Sequence, residues 1–185
     1  TAFAFGADAV YGGVPQFSMR ANPKKGFTFA SLKKGIDYAH SINKKVYLTV
    51  NIIAHNYHLS NLEKYIKKII VLNPDALIVA DPGVMHLIRK YNKKIEIHLS
   101  TQANVTNYET VAFWKKQGIK RIILARELTL KEIKQIKDKV KGVELEIFVH
   151  GSMCMAYSGR CLLSHYLADK HANQGLCTHP CRWKY

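Results

Sequence analysis

Six short runs rich in β-branched and aromatic residues alternate with amphipathic stretches, and this alternation limits the fold more than any other feature. The runs are 8–13 (DAVYGG), 45–51 (KVYLTVN), 76–81 (ALIVAD), 96–101 (EIHLST), 121–126 (RIILAR) and 144–151 (ELEIFVHG). Between them, Leu62, Tyr65, Ile66, Ile69 and Ile70 recur at helical spacing within 59–72. Leu130, Ile133, Ile136 and Val140 do the same within 129–140. Ser60 or Asn61 and Thr129 are the expected N-caps, and Gly118 after Gln117 the expected helix-ending glycine. Strands alternating with helices at this spacing predict βα units and a parallel sheet.

The strands themselves decide between an open sheet and a barrel. Strands buried on both faces read as continuous apolar runs. Here Glu96, His98 and Ser100 oppose Ile97 and Leu99, while Tyr47, Thr49 and Asn51 oppose Val46, Leu48 and Val50. Glu146, Phe148 and His150 likewise oppose Leu145, Ile147 and Val149. One face packs under helices and the other, half polar, lines a lumen. The expectation is an α/β fold, a (β/α) TIM-like barrel of parallel strands with functional groups at the strands' carboxyl ends. Six strands of the usual eight are visible, and the first residues read as the middle of a helix. The chain therefore reads as a fragment lacking strand one and the closing strand, with a partial barrel over 1–151. Residues 152–185 read as a Cys-rich segment continuous with it.

Twenty-eight basic residues against 13 acidic ones give a formal charge of +15. A surface that basic attracts phosphate, nucleic acid or acidic membrane, although Lys-rich solvated helix faces explain the spread equally well. No apolar run reaches the roughly 18 residues that span a bilayer, and no signal peptide opens the chain. Neither GxGxxG nor GxxxxGK[ST] occurs, so a nucleotide-cofactor enzyme is not expected.

All four cysteines, Cys154, Cys161, Cys177 and Cys181, lie in the last 32 residues. Such clustering without secretory context points away from a disulfide scaffold and toward a metal or cluster site. Only Cys177-x3-Cys181 has zinc-like spacing, whereas a 4Fe–4S cluster tolerates the wider Cys154–Cys161 interval. Spacing leaves iron–sulfur, zinc and free or catalytic thiols open.

The run Glu146-x-Phe148-x-x-Gly151-Ser152-Met153-Cys154-x4-Gly159-x-Cys161-x-Leu163-Ser164 resembles the signature of peptidase family U32. GADAVYGG, Val50-Asn51, PDALIVADPG, HLSTQAN, LARELT and NQGLCTHPCRW extend the resemblance along the whole chain. They resemble most the branch that acts on tRNA, formerly described as proteases or collagenases. The resemblance implies a cytoplasmic, barrel-based enzyme that hydroxylates wobble uridine to 5-hydroxyuridine without molecular oxygen. Relatives act on tRNA, on ribosomal RNA or on the ubiquinone ring, and prephenate is implicated as a hydroxyl donor in the RNA branches. It also implies a 4Fe–4S cluster on Cys154, Cys161, Cys177 and Cys181, with zinc the alternative and Cys181 the weakest assignment. tRNA is the implied partner, and no membrane is expected.

The remaining candidates are strand-end and loop residues, each with an ordinary structural role to set beside the functional one. His150, beside Gly151, is a proton donor or a donor to the cluster site, or else a packed core histidine. Glu146 points the same way but deeper, and pairing with a lumen Arg or Lys is its ordinary role. His98, Ser100, Gln102 and Asn104 form the expected polar pocket for a small acid or a base. Asn51, Asp81, Arg126 and Glu127 close three other strands. Arg126 suits a bidentate carboxylate or phosphate contact, or an ion pair with Asp81 across the mouth. Arg160 lies between two expected ligands, where it tunes a cluster or simply faces solvent. The second reading is a peptidase in which His150 activates Cys154. No HExxH occurs to support a zinc protease. The third is a basic RNA-binding module with a structural metal.

Overall fold

The computed structural model describes residues 1–13, 17–19, 26–151 and 153–185; Ser152 of the signature lies outside these. Six strands follow one another in chain order across one parallel sheet: β1 (Ala9–Gly12), β2 (Lys45–Val50), β3 (Ala76–Val79), β4 (Glu96–Leu99), β5 (Arg121–Ile123) and β6 (Glu144–Glu146). The crossovers carry α1 (Phe29–Ser41), α2 (Asn56–Val71), α3 (Pro82–Tyr91), α4 (Tyr108–Lys116) and α5 (Leu130–Lys139). A short α6 (Leu163–Ala168) follows β6. The architecture is a half-barrel of the expected (β/α) kind.

Local chemistry sets the helix starts. Asp81 caps α3 through the Val84 N–H with Pro82 at the first helical position, and Thr129 forms a capping box with Glu132 on α5. Asn107 caps α4, and Gly118, at φ 78, takes the left-handed conformation just past its end. The main core joins the outward residues Leu48, Val50, Leu77, Val79, Leu99 and Ile122 to Leu62, Ile66, Ile69, Val84, Ile88, Val111 and Ile136 of the helices. Inward, Tyr47, Ala76, Ile78 and Ile123 make a smaller apolar plug in the lumen.

Several expected boundaries move. α2 starts at Asn56, capped by His55, rather than near Ser60 or Asn61. The extra turn forms because His58 Nδ1 accepts the His55 N–H (3.0 Å), a polar start that apolar spacing does not register. β4 stops at Leu99 because Ser100 leads into a 3₁₀ turn (Thr101–Ala103) that ends with Asn104 in the left-handed region. β1 begins one residue later than expected, at Ala9, because Asp8 faces solvent and pairs with Lys44. β5 ends at Ile123 and β6 at Glu146, three residues each. β6 has β5 alone as a neighbour, so pairing runs out and 147–150 are exposed. Residues Ala2–Phe5 form one 3₁₀ turn closed by Gly6 at φ 88, not a stretch of longer helix. Among the described residues, no helix is long and apolar enough to cross a membrane.

Candidate functional site

A hydrogen-bonded polar cluster closes the barrel mouth at the carboxyl ends of β2 and β4. Asn51 is buried; its Nδ2 donates to Gln102 Oε1 (3.0 Å) and Ser100 Oγ (3.4 Å), and its Oδ1 accepts the Met19 N–H (3.0 Å). Ser100 Oγ donates to Gln102 Oε1. Asn104 Nδ2 donates to the carbonyls of Gln102 (2.7 Å) and Ser158 (3.3 Å), while its buried Oδ1 has no partner among the described residues. A buried acceptor without a donor is uncommon in a folded chain.

The Cys-bearing tail forms a roof over this cluster. The Ile53 N–H donates to the Asn173 carbonyl (3.2 Å). A Cβ at Gly175 would lie 2.8 Å from the Ser18 carbonyl oxygen, and one at Gly159 would lie 3.0 Å from Gln102 Cγ. Both glycines also hold positive φ, so no other residue fits these contacts without strain.

Arg126 is a strap. Its Nη1 donates to the Cys154 carbonyl (3.2 Å), Nη2 to the Ala156 carbonyl (3.0 Å) and Ser158 Oγ (2.8 Å), and Nε to Ser158 Oγ (3.1 Å). The expected alternative, an ion pair with Asp81, is not formed, because the guanidinium is committed to the tail and Asp81 caps α3. Ser158 had no recognisable pattern in the sequence: a serine in a Gly-rich segment looks the same whether or not an arginine comes to it.

His98 separates from Ser100, Gln102 and Asn104, with which the sequence grouped it. It lies deeper in the lumen, 1% exposed, with Nε2 2.8 Å from Glu96 Oε1 and its ring edge-on to Tyr47 at 4.6 Å. Nδ1 is buried without a partner among the described residues. Burial pushes the imidazole below its ordinary value, against the opposing hydrogen bond from Glu96. Beside it, Arg121 lies over the Tyr47 ring (5.4 Å) and pairs with Glu144 (2.7 Å) and Glu146 (3.5 Å). Glu146 therefore has its ordinary partner, a lumen arginine. The Arg121 guanidinium holds the Glu144 carboxyl below the usual carboxylate range. His150, expected at a strand end, lies four residues beyond β6 and is exposed, as are Glu127 and Arg160.

All four cysteines are free thiols; Cys161 is half-buried and the others exposed. Cys177 Sγ receives the His179 N–H (3.4 Å) and lies 3.7 Å from the hydroxyl of buried Ser164. Donors aimed at a sulfur suit a thiolate, and four free thiols in one loop-rich segment suit a soft metal or cluster. The expected convergence of the four sulfurs is not present. Among the described residues, no three His, Cys, Asp or Glu side chains are gathered to hold a metal. Cys154 rides on the loop strapped by Arg126 and Cys177 is tied to α6 through Ser164, while Cys181 lies in a 3₁₀ turn (Pro180–Arg182) that packs against α6 and whose Arg182 donates to the Met153 carbonyl (3.1 Å). The donor chemistry fits a metal centre, although the thiols are not gathered around one here, and no step is routed through it.

The model of peptidase family U32 matches residues 1–185. The chain belongs to peptidase family U32. Among curated proteins, it is 53% identical over 184 residues to the tRNA hydroxylation protein P of Haemophilus influenzae, covering 100% of this chain and 40% of that protein. It is 36% identical over 184 residues to the 23S rRNA 5-hydroxycytidine C2501 synthase of Escherichia coli, covering 100% of this chain and 27% of that enzyme. This U32 chain thus spans well under half of those relatives. Among solved structures, the U32 peptidase Mk0906 shares the fold with a TM-score of 0.69 at 19% identity, over 97% of this chain and 74% of that one.

Two outcomes test this geometry. Arg126→Ala should raise hydrogen–deuterium exchange in 153–161 while leaving β2–β4 protected, and Arg126→Lys should not restore it, since a point charge cannot reach three acceptors at once. Exchange unchanged in both variants would show that the strap is not formed. With its folded value depressed, His98 makes the unfolded chain bind more protons below about pH 6.5. Stability should be full above that pH and fall as pH drops below it, with His58, also depressed, adding in the same direction. Thermal unfolding across pH 5 to 8 should show a flatter dependence for His98→Gln than for the wild type.

Proposed function

We propose that the full-length protein carrying this chain is an RNA hydroxylase whose substrate is the wobble uridine of tRNA and whose product is 5-hydroxyuridine. The observation that carries the reading is the buried amide and hydroxyl cluster at the barrel mouth, roofed by the Cys-bearing tail. It lies in a U32 chain that is 53% identical to a tRNA hydroxylation protein. Asn51, Ser100, Gln102 and Asn104 together offer donors and acceptors of the kind that read the edge of an extruded base. Asn104 Oδ1, unpartnered among the described residues, is an acceptor suited to a uracil N–H. Because Asn51 and Ser100 are covered, a base reaches them only when part of that cover moves aside. The +15 charge supplies salt-sensitive affinity for the RNA backbone. A second RNA-modifying relative, which acts on a ribosomal cytidine, supports pyrimidine ring hydroxylation as the shared chemistry.

In the finer reading, Cys154, Cys161, Cys177 and Cys181 would hold a 4Fe–4S cluster in the loaded protein, zinc being the alternative; a metabolite such as prephenate is the source of the hydroxyl oxygen in place of O₂, and the two electrons and the proton lost as C5–H becomes C5–OH go to an external two-electron acceptor and to solvent. Such a cluster would supply electron transfer or Lewis acidity. His150 and Arg160, exposed at the start of the tail, are the groups assigned to move a proton or hold an acid. A peptidase reading needs a base on Cys154. Among the described residues, the tail sulfur with hydrogen-bond donors is Cys177, and neither donor is a histidine ring.

Nucleoside mass spectrometry of tRNA from a deletion strain should show loss of 5-hydroxyuridine-derived wobble nucleosides, restored by the wild-type gene and not by Cys154→Ala. Unchanged nucleosides in the deletion strain would refute the function. Protein purified without air should contain iron and acid-labile sulfide, both lost in Cys161→Ala; zinc in their place would select the alternative.

A further inference from the structure

An exposed aromatic group at the start of α2 plays no part in the site described above. Tyr57 is 65% exposed, near the start of a helix whose core residues are Leu62, Tyr65, Ile66 and Ile69. Its ring centroid lies 4.0 Å from that of His58 and 5.5 Å from that of His55, and the two imidazoles are 5.9 Å apart. The group is fixed in place. His58 rests edge-on against buried Phe17 (6.4 Å), and its Nδ1 accepts the His55 N–H (3.0 Å). The Tyr57 hydroxyl accepts from Gln174 Nε2 (3.0 Å) and donates to Gln174 Oε1 (3.3 Å).

Its position is informative. Residues 51–55 lead from Asn51 at the barrel mouth to this group, and Ile53 is hydrogen-bonded to Asn173, beside Gln174. The aromatic face therefore adjoins both the mouth and the tail that covers it. A large ring held rigidly and left in water does nothing for the core, and its flat face suits a flat partner. The chain as a whole is basic, at +15, and further along the same helix lie Lys64, Lys67 and Lys68 against Glu63. A flat neutral ring on a polyanionic strand is a nucleobase.

We infer that Tyr57, with His55 and His58 packed against it, is a stacking platform for an unpaired nucleobase neighbouring the one that enters the barrel mouth. This rests on the RNA reading above and names the residues that would hold the flanking nucleotide. Aromatic stacking tolerates any base, so the platform positions the RNA strand and the mouth selects the base.

The test is binding of a fluorescently labelled short oligouridylate to the full-length protein at fixed salt, with circular dichroism confirming the fold of each variant. Tyr57→Ala should weaken binding about tenfold, the effect of losing one stacked base. Tyr57→Phe should bind as wild type although it loses the Gln174 bonds, whereas Tyr57→Leu should behave as Tyr57→Ala. Wild-type affinity in Tyr57→Ala, or full rescue by Leu, would overturn the platform while leaving the RNA reading standing. Failure of the wild-type protein to bind the RNA, or Tyr57-dependent binding of an unstructured peptide in its place, would overturn both.

Discussion

The structure depends on one constraint: six parallel strands paired in chain order. Right-handed crossovers between adjacent strands place every intervening helix on the same side of the sheet. The outward face is then covered by five helices and can be wholly apolar, as Leu48, Val79 and Leu99 are. The inward face has no helices, so it curls on itself and must satisfy its own polar groups. Arg121 with Tyr47 and Glu146, and His98 with Glu96, do so within the lumen, and Asn51, Ser100, Gln102 and Asn104 do so at the mouth, with His98 Nδ1 and Asn104 Oδ1 left over among the described residues. The polar site follows directly from the strand order.

The tail completes that face. Arg126 reaches from the end of β5 to three groups of 154–158, and Asn104 reaches Ser158 from the end of β4. Gly159 and Gly175 let the tail backbone approach Gln102 and Ser18. The cysteines are thus carried over the mouth by contacts that involve no sulfur. The roof can form before any metal is bound, and the residues that set its position are those at the barrel rim.

Much of this was legible in the sequence, for a physical reason. The period-2 alternation in 45–51 and 96–101 records which face meets helices, so the parallel half-barrel and the rim positions of Asn51 and Ser100 followed from pattern alone. Thr129 and Gly118 were readable because caps use few residue types. What pattern misses is the identity of long-range partners. Arg126 looked like an anion binder or a partner for Asp81, yet its acceptors are backbone carbonyls, which every residue has. His98 and Ser100 share a strand face two residues apart, but that step separates a buried lumen histidine from a mouth hydroxyl. Tyr57 stands just before the apolar periodicity begins, so spacing gave it no weight.

The central claim is that the mouth and the Cys-bearing tail together receive an RNA base. Photocrosslinking of 4-thiouridine-substituted tRNA to the full-length protein, followed by peptide mass spectrometry, tests it most directly. The account predicts crosslinks in peptides carrying 100–104 and 153–161, at the mouth and its roof. Crosslinks confined to the Lys-rich helices α4 and α5, away from the mouth, would contradict it.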